Sequence, residues 1–322
     1  MSNLETEPDE LFAVRSADNN HILEPREVPL GGPRALSVRR TLPQRGRSLI
    51  GPWCFLDHYG PNPVEQGTGM RVPPHPHTGL QTVSWLFLGE VEHRDSSGAH
   101  AMVRPGELNL MTAGRGIQHS EVSTATTTTL HGAQLWVALP DAARGIAPFF
   151  EHYAPAPVQL GEATLHVFLG SLAGSTSPAS TFSPIIGAQI DLPPDAIVEL
   201  AIDPGFEHGV LLDTGGLEID GVELPLSHLS FHEVGASSIR LVAGAEGARA
   251  LIIGGAPFGE SIVMWWNFVG RSHDEIVGFR GQWQGDVIAG GDATGVFGAI
   301  SDFDGSALPA PAMPAIRLKP RE

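Results

Sequence analysis

The sequence predicts an all-β protein: two small barrels in series, then one short helix and an extended tail. Length is the first reason, since 322 residues exceed what one hydrophobic core usually serves. Composition is the second, because 39 Gly and 27 Pro cut the chain into many short apolar runs. The third is internal. The block Gly205-Phe206-Glu207-His208-Gly209-Val210, with Leu211-Leu212, a Gly215-Gly216 turn and Leu217 to Gly221, repeats the order of an earlier block and reads as a worn copy of it. That earlier block is His75-Pro76-His77-Thr78-Gly79-Leu80, the apolar run Thr82 to Leu88, and the Gly89 turn.

The elements come in order along the chain. Residues 1 to about 10 are polar and acidic and are expected to be disordered. Leu36-Ser37-Val38-Arg39-Arg40 is a short strand, and Thr82 to Leu88 a buried one closed by Gly89. Pro105-Gly106 opens a further turn and strand ending at Met111, with the glycine-rich bend Thr112 to Gly116 after it. Ser123 to Thr129 has good β-propensity but little to bury, and reads as an exposed loop. The first barrel should close near Leu139-Pro140, and Ala147 to Pro157, with three prolines, is the interdomain connection. The domains are therefore 1–146 and 147–322. Second-barrel strands begin at Thr164-Leu165-His166-Val167-Phe168-Leu169. Ser272-His273-Asp274-Glu275 has the capping-box pattern and starts the one expected helix; beyond residue 285 Gly, Ala and Pro favour an extended tail laid over the barrels. The aromatic run Met264 to Phe268 fits core packing between helix and barrel better than a binding surface.

Two polar clusters stand out from the apolar sequence: His75-Pro76-His77 and His119-Ser120-Glu121. On a strand, residues i and i+2 project to one face, so each cluster aims two side chains the same way. A lone His-x-His is commonly a surface or core feature. Here a turn and one or two strands separate the pairs, the arrangement by which a small barrel brings two hairpins to one interior spot. Three imidazoles and a carboxylate suit a borderline divalent ion such as iron(II); they are too nitrogen-rich for calcium or magnesium and lack the thiolates of a structural zinc site.

The forms His75-Pro76-His77-Thr78-Gly79, Met111 to Glu121 (Met-Thr-Ala-Gly-Arg-Gly-Ile-x-His-x-Glu) and His131 to Val137 (His-Gly-x-Gln-Leu-Trp-Val) resemble the pirin family, which are bicupins. The resemblance runs from about residue 25 to 285 and is strongest from Trp53 to Pro140. It implies two cupin-type barrels, and one iron held by His75, His77, His119 and Glu121. Fe(II) is the ion the family implies; Mn, Ni, Cu or Zn suit the same donors, and affinity order alone favours the later metals. Gln81 departs from the family, where many members have Glu, and should leave the metal intact while changing its surroundings. Four protein ligands leave two positions on a six-coordinate ion. In pirin-like enzymes the reaction is 2,3-dioxygenation of a flavonol such as quercetin, with dioxygen as co-substrate and release of carbon monoxide. The resemblance then implies a small aromatic substrate, with Glu121 as the catalytic base. Trp53, Phe55 and Met111 are candidates for the barrel mouth and equally suited to the core. The family also implies an alternative: an iron-dependent redox-sensing regulator that binds a transcription factor or metabolic enzyme as protein partner, without turnover.

In the second half Val210 stands where the second histidine would be, and no His-x-Glu pair comes after it, so His208, His228 and His232 read as structural and this barrel as a brace without metal. Nineteen basic against 36 acidic residues give a net charge of −17, which argues against direct binding of nucleic acid or an anionic membrane surface. The cluster Arg39, Arg40, Arg45 and Arg47 reads as a solvated face more than an anion site. The single cysteine, Cys54, sits in an apolar run and reads as a small buried hydrophobe in a reducing compartment. No apolar leader precedes residue 20 and no run reaches membrane-span length; a cytoplasmic location is expected.

Overall fold

A computed structural model describes residues 22–30, 36–64 and 69–321; the expectation for residues 1 to 10 lies outside them. The chain folds into two jelly-roll-like β domains, as its punctuation suggested. In the first, a seven-stranded sheet faces a four-stranded one. The large sheet is ordered Phe149–Tyr153, Leu108–Thr112, Leu80–Leu88, Thr129–Ala138, Trp53–Pro63, Leu36–Leu42, Arg26–Leu30. The small sheet is ordered Arg71–His77, Ile117–Ser123, Val91–Asp95, His100–Val103, all antiparallel. The second domain is built on a ten-stranded sheet whose centre is Glu207–Ile219 paired with Ser238–Gly255.

The expected boundary at 146 falls too early. Phe149–Tyr153 pairs with Leu108–Thr112 and completes the first sheet, and the chain joins the second sheet only at Val158–Leu160. Pro148 ends one segment, but the apolar Phe149-Phe150 lets the next be captured by the sheet before Pro155 and Pro157 release the chain. At the other end, Ile22–Leu23 pairs with Leu229–His232 of the second domain.

Each domain has its own core, and a shared one joins them. Trp53, Leu56, Val83, Trp85 and Leu135 pack with Phe168, Leu169, Ile185, Leu211, Leu251 and Ile253 across the junction. The polar ends of the large indoles are satisfied there: Trp53 Nε1 lies 3.1 Å from the Ile186 and Gly254 carbonyls, and Trp85 Nε1 donates to Gln189 Oε1 at 2.8 Å. Trp53 is thus a joint between domains, not a mouth residue.

The helix His273–Gln282 starts where the sequence indicated, with Ser272 Oγ accepting from Glu275 N at 3.2 Å. Glu275 reaches back to Arg271 N at 2.8 Å, one residue earlier than the reciprocal capping bond. The run Met264 to Phe268 is core: Trp265, Trp266, Phe268 and Trp283 pack with Phe297 and the tail residues Leu308, Ala310 and Met313. The tail crosses the small sheet of the first domain, with Gln118 Nε2 donating to Gly298 O at 2.5 Å and Leu308 N to Pro74 O at 2.8 Å.

Candidate metal centre

The two polar clusters meet on neighbouring strands. Arg71–His77 and Ile117–Ser123 pair antiparallel with His119 opposite His75 and Ile117 opposite His77, so His75, His77 and His119 share one face. The register then slips, with Glu121 opposite Val72. Pro73 and Pro74 supply the cause, because neither has an N–H for the ladder and the extra residue bulges out there, which re-aims the adjoining side chains. After His77 the strand must turn sharply. Gly79 does so at φ +67°, where a Cβ would collide with the Val269 carbonyl.

The three rings lie close together, with centroids 5.0 Å (His75–His77), 4.3 Å (His75–His119) and 4.9 Å (His77–His119) apart. All three are fully buried and Glu121 is 2 % exposed. The three imidazoles offer donor atoms mutually within 4.8 Å. Glu121 forms a second such group with His119 and His93, so the two sets share His119.

Hydrogen bonding fixes how the rings point. His75 Nδ1 lies 2.8 Å from the Pro73 carbonyl, which can only accept, so the proton sits on Nδ1 and Nε2 keeps its lone pair. That Nε2 is buried with no hydrogen-bond partner among the described residues. His77 Nε2 and His119 Nε2 face one another at 3.1 Å. Burial holds all three neutral: it pushes His75 down to about 3, and together with the neighbouring imidazoles it keeps His77 and His119 well below the ordinary histidine range. Neutral, dehydrated imidazoles with a lone pair aimed at a common point are the donor set a divalent metal ion requires. The residues fit such an ion.

A tight shell surrounds them. Trp136 sets its edge against His77 with centroids 5.2 Å apart, and Phe55 stacks on Trp136 at 4.0 Å. Met111 and Phe55 are both buried in this layer. Ser84 Oγ lies 2.9 Å from Gln134 Oε1 and 3.3 Å from Glu121 Oε1, so its single proton serves one of them at a time. Gln81 turns away from the histidines; its Nε2 donates to Thr112 Oγ1 at 2.9 Å and to Ser180 O of the second domain at 3.1 Å.

Cys54 behaves as a small hydrophobe, fully buried, with its thiol pushed up to about 12 by burial. The solvated reading of the arginine cluster holds for Arg45, which is exposed, and is corrected for Arg40 and Arg47. Arg40 is 1 % exposed and makes a two-pronged ion pair to Asp57 at 2.6 and 2.8 Å, and Arg47 lies over the Phe231 ring. For these two, carboxylate and aromatic partners on adjoining elements cover what looked like a free basic face. His208 is buried opposite His232, and neither they nor His228 enter any candidate metal cluster among the described residues.

Two groups of residues escaped the sequence. One is His93 with Asp95, on the strand flanking His119 and Glu121. Its signal was the alternation Val91, His93, Asp95 inward against Glu92 and Arg94 outward. The other joins the domains: Asp213 Oδ1 lies 2.6 Å from both His58 Nε2 and His131 Nε2, and Oδ2 accepts from Arg249 Nε at 2.6 Å. Arg39 Nη2 donates to His58 Nδ1 at 3.3 Å, which leaves the His58 proton on Nε2, toward the carboxylate. Burial would raise the Asp213 carboxyl, but His131 and His58 outweigh it and hold it far below the carboxylate range, while burial keeps His58 neutral. Arg249 and Arg39, on either side, supply the counter-charge to Asp213, and nothing in the sequence pairs positions so far apart.

Two jelly-roll domains with inward-facing histidines on paired strands define a bicupin with a metal-type centre in its first half. The sequence matches the Pirin family over residues 35–137 and the Pirin C-terminal cupin domain over residues 187–286. A Pseudomonas aeruginosa relative, provisionally named a quercetin 2,3-dioxygenase, is 42% identical over 92% of both chains. A pirin-like protein of Caulobacter vibrioides is 33% identical over 82% of this chain and 92% of its own. The crystal structure of quercetin 2,3-dioxygenase from Acinetobacter baumannii superposes with TM-score 0.85 at 37% identity, covering 92% of this chain and 97% of that one. The chain belongs to the pirin family.

Proposed function

We propose that this pirin is a metal-dependent dioxygenase for a flavonol-type substrate, with His75, His77, His119 and Glu121 as ligands and iron(II) as the ion. The observation that carries it is the convergence of three neutral, buried imidazoles beside a buried carboxylate. A bound redox-active ion would supply a Lewis acid for an aromatic hydroxyl oxygen and an electron partner for dioxygen. The chain's own part is different. His75 is held in the correct tautomer by the Pro73 carbonyl. Trp136, Phe55 and Met111 wall the centre with apolar surface and exclude water, which strengthens every electrostatic interaction inside. With the imidazole lone pairs committed to an ion, Glu121 is the group of the four left to act as a base; a substrate hydroxyl proton would move to its carboxylate, with Ser84 Oγ within 3.3 Å to steady Oε1. The names of the Pseudomonas and Acinetobacter relatives support quercetin as the first substrate to try.

The test is anaerobic loading with iron(II), and then oxygen uptake with and without quercetin. Flavonol-dependent uptake is expected. Its absence with iron, manganese, nickel and copper alike would replace the enzyme by a metal-bound regulatory protein.

A further inference from the structure

Behind His119 lies a second imidazole whose hydrogen bonds all run in one direction. His93 is 2 % exposed. Its Nε2 lies 3.0 Å from Asp95 Oδ2, and its Nδ1 lies 3.4 Å from His119 Nδ1. Asp95 is itself fixed by its other oxygen, which accepts from Ser97 N at 2.8 Å, Ser97 Oγ at 2.6 Å and Ala99 N at 3.2 Å. The His93 ring is clamped by Phe150, stacked at 4.8 Å between centroids and tilted by 28°.

A carboxylate only accepts, so the Asp95 contact puts the His93 proton on Nε2 and leaves Nδ1 as an acceptor. The neighbour that can fill it is the His119 Nδ1–H. His119 is then the Nδ1–H tautomer, and its lone pair sits on Nε2, the nitrogen that faces His77 Nε2. One orientation of protons satisfies the whole line from Asp95 to His119.

We propose that Asp95 and His93 form a hydrogen-bonded relay that sets the tautomer and donor strength of His119, making both of them positioning residues for the bound metal ion. The inference rests on His119 being a ligand. Outer partners of this kind orient a ligand and raise its basicity, and their loss costs about 10–100-fold in metal affinity.

Three variants separate the relay from simple packing. His93→Phe keeps a ring against Phe150 but offers His119 no acceptor. His93→Asn loses the ring but keeps an oxygen near the Nδ1 position. Asp95→Asn keeps Oδ1 for the Ser97 and Ala99 amides, but its Nδ2 donates toward His93. That forces the His93 proton to Nδ1, and the His119 proton to Nε2, where the metal should bind.

The readout is the dissociation constant for iron(II), measured anaerobically by chelator competition, with the melting temperature of each metal-free variant and His119→Ala as reference. Affinity is expected to fall about 10–100-fold in His93→Phe and Asp95→Asn, and most of it to return in His93→Asn, with metal-free melting close to wild type in Asp95→Asn. Affinity that tracks the ring, falling in His93→Asn and holding in His93→Phe, would overturn the relay, as would wild-type affinity in Asp95→Asn. If His119→Ala itself keeps iron at wild-type affinity, the ligand assignment falls and the relay with it. If His119→Ala loses iron while the other variants keep it, the relay alone falls.

Discussion

Replacing Asp213 by Asn is expected to loosen the joint between the two domains. The carboxylate is completely buried and lies 2.6 Å from each of three partners: His58 and His131 of the first domain and Arg249 of the second. Removing one member of a buried ion pair costs about 3–5 kcal/mol, chiefly because the remaining charge loses its counter-charge inside the protein. The Arg249 side chain is 24% exposed, so water takes over part of that role, and Asn retains one acceptor for the imidazoles. The lower end, about 3 kcal/mol, is the appropriate figure. Chains of 150–250 residues lose about 2–4 °C of Tm per kcal/mol and longer ones less; for 322 residues a drop of about 4–5 °C is expected. Scanning calorimetry at pH 7 measures it. Adding Arg249→Met to the variant should recover part of the loss, because the stranded charge is then gone. A melting temperature within about 1 °C of wild type, or an arginine substitution that lowers the variant further, would refute the idea that this charge balance holds the domains together.

His75→Ala or His119→Ala should abolish tight iron binding while the chain still folds, since the cores are large and the ion is not their main support; metal analysis beside a melting curve checks this. Glu121→Gln should keep some iron but lose most flavonol-dependent oxygen uptake, because an amide is no base at neutral pH. Iron should approach one ion per chain, and His208→Ala should leave that ratio unchanged; a second tightly held ion, or a lower ratio in the variant, contradicts a purely structural second half. His208 is pushed down to about 4 by burial, then by His232, whereas in the unfolded chain it protonates near 6.5. The unfolded state therefore takes up the proton first, and His208's contribution is complete above about pH 6.5 and is lost as pH falls toward 4. Denaturant midpoints across that window should fall more steeply in wild type than in His208→Asn.

What the sequence made legible was what neighbours along the chain decide. The Ser272 cap needs only Glu275, and the two-residue period of His75 and His77 needs only a strand. Long-range pairings were harder. Arg40 looked solvated because its partner Asp57 belongs to the adjoining strand. The domain boundary was set too early because the proline count around Ala147 to Pro157 hid a strand whose pairing partner is Leu108–Thr112. His93 read as one histidine among charged neighbours, and only the sheet register reveals that it stands opposite Glu121 and behind His119. Asp213 carried no local signal at all, since its partners His58 and His131 come from strands of the other domain.

The first and last described segments are crossed: Ile22–Leu23 pairs with a strand of the second domain, and the stretch around Leu308 bonds to the first at Pro74. Synthesis therefore delivers the histidines of the centre early and their cover last. Throughout translation of the second domain, Arg71–His77 would stand as the bare margin of its sheet, a template for unwanted pairing with other nascent chains. Pro74 and Pro76, whose backbone faces that margin, remove donors from it. Prolines in the bent strand of the candidate centre thus also make its open edge a poorer template for another chain until Leu308 is available to cover it.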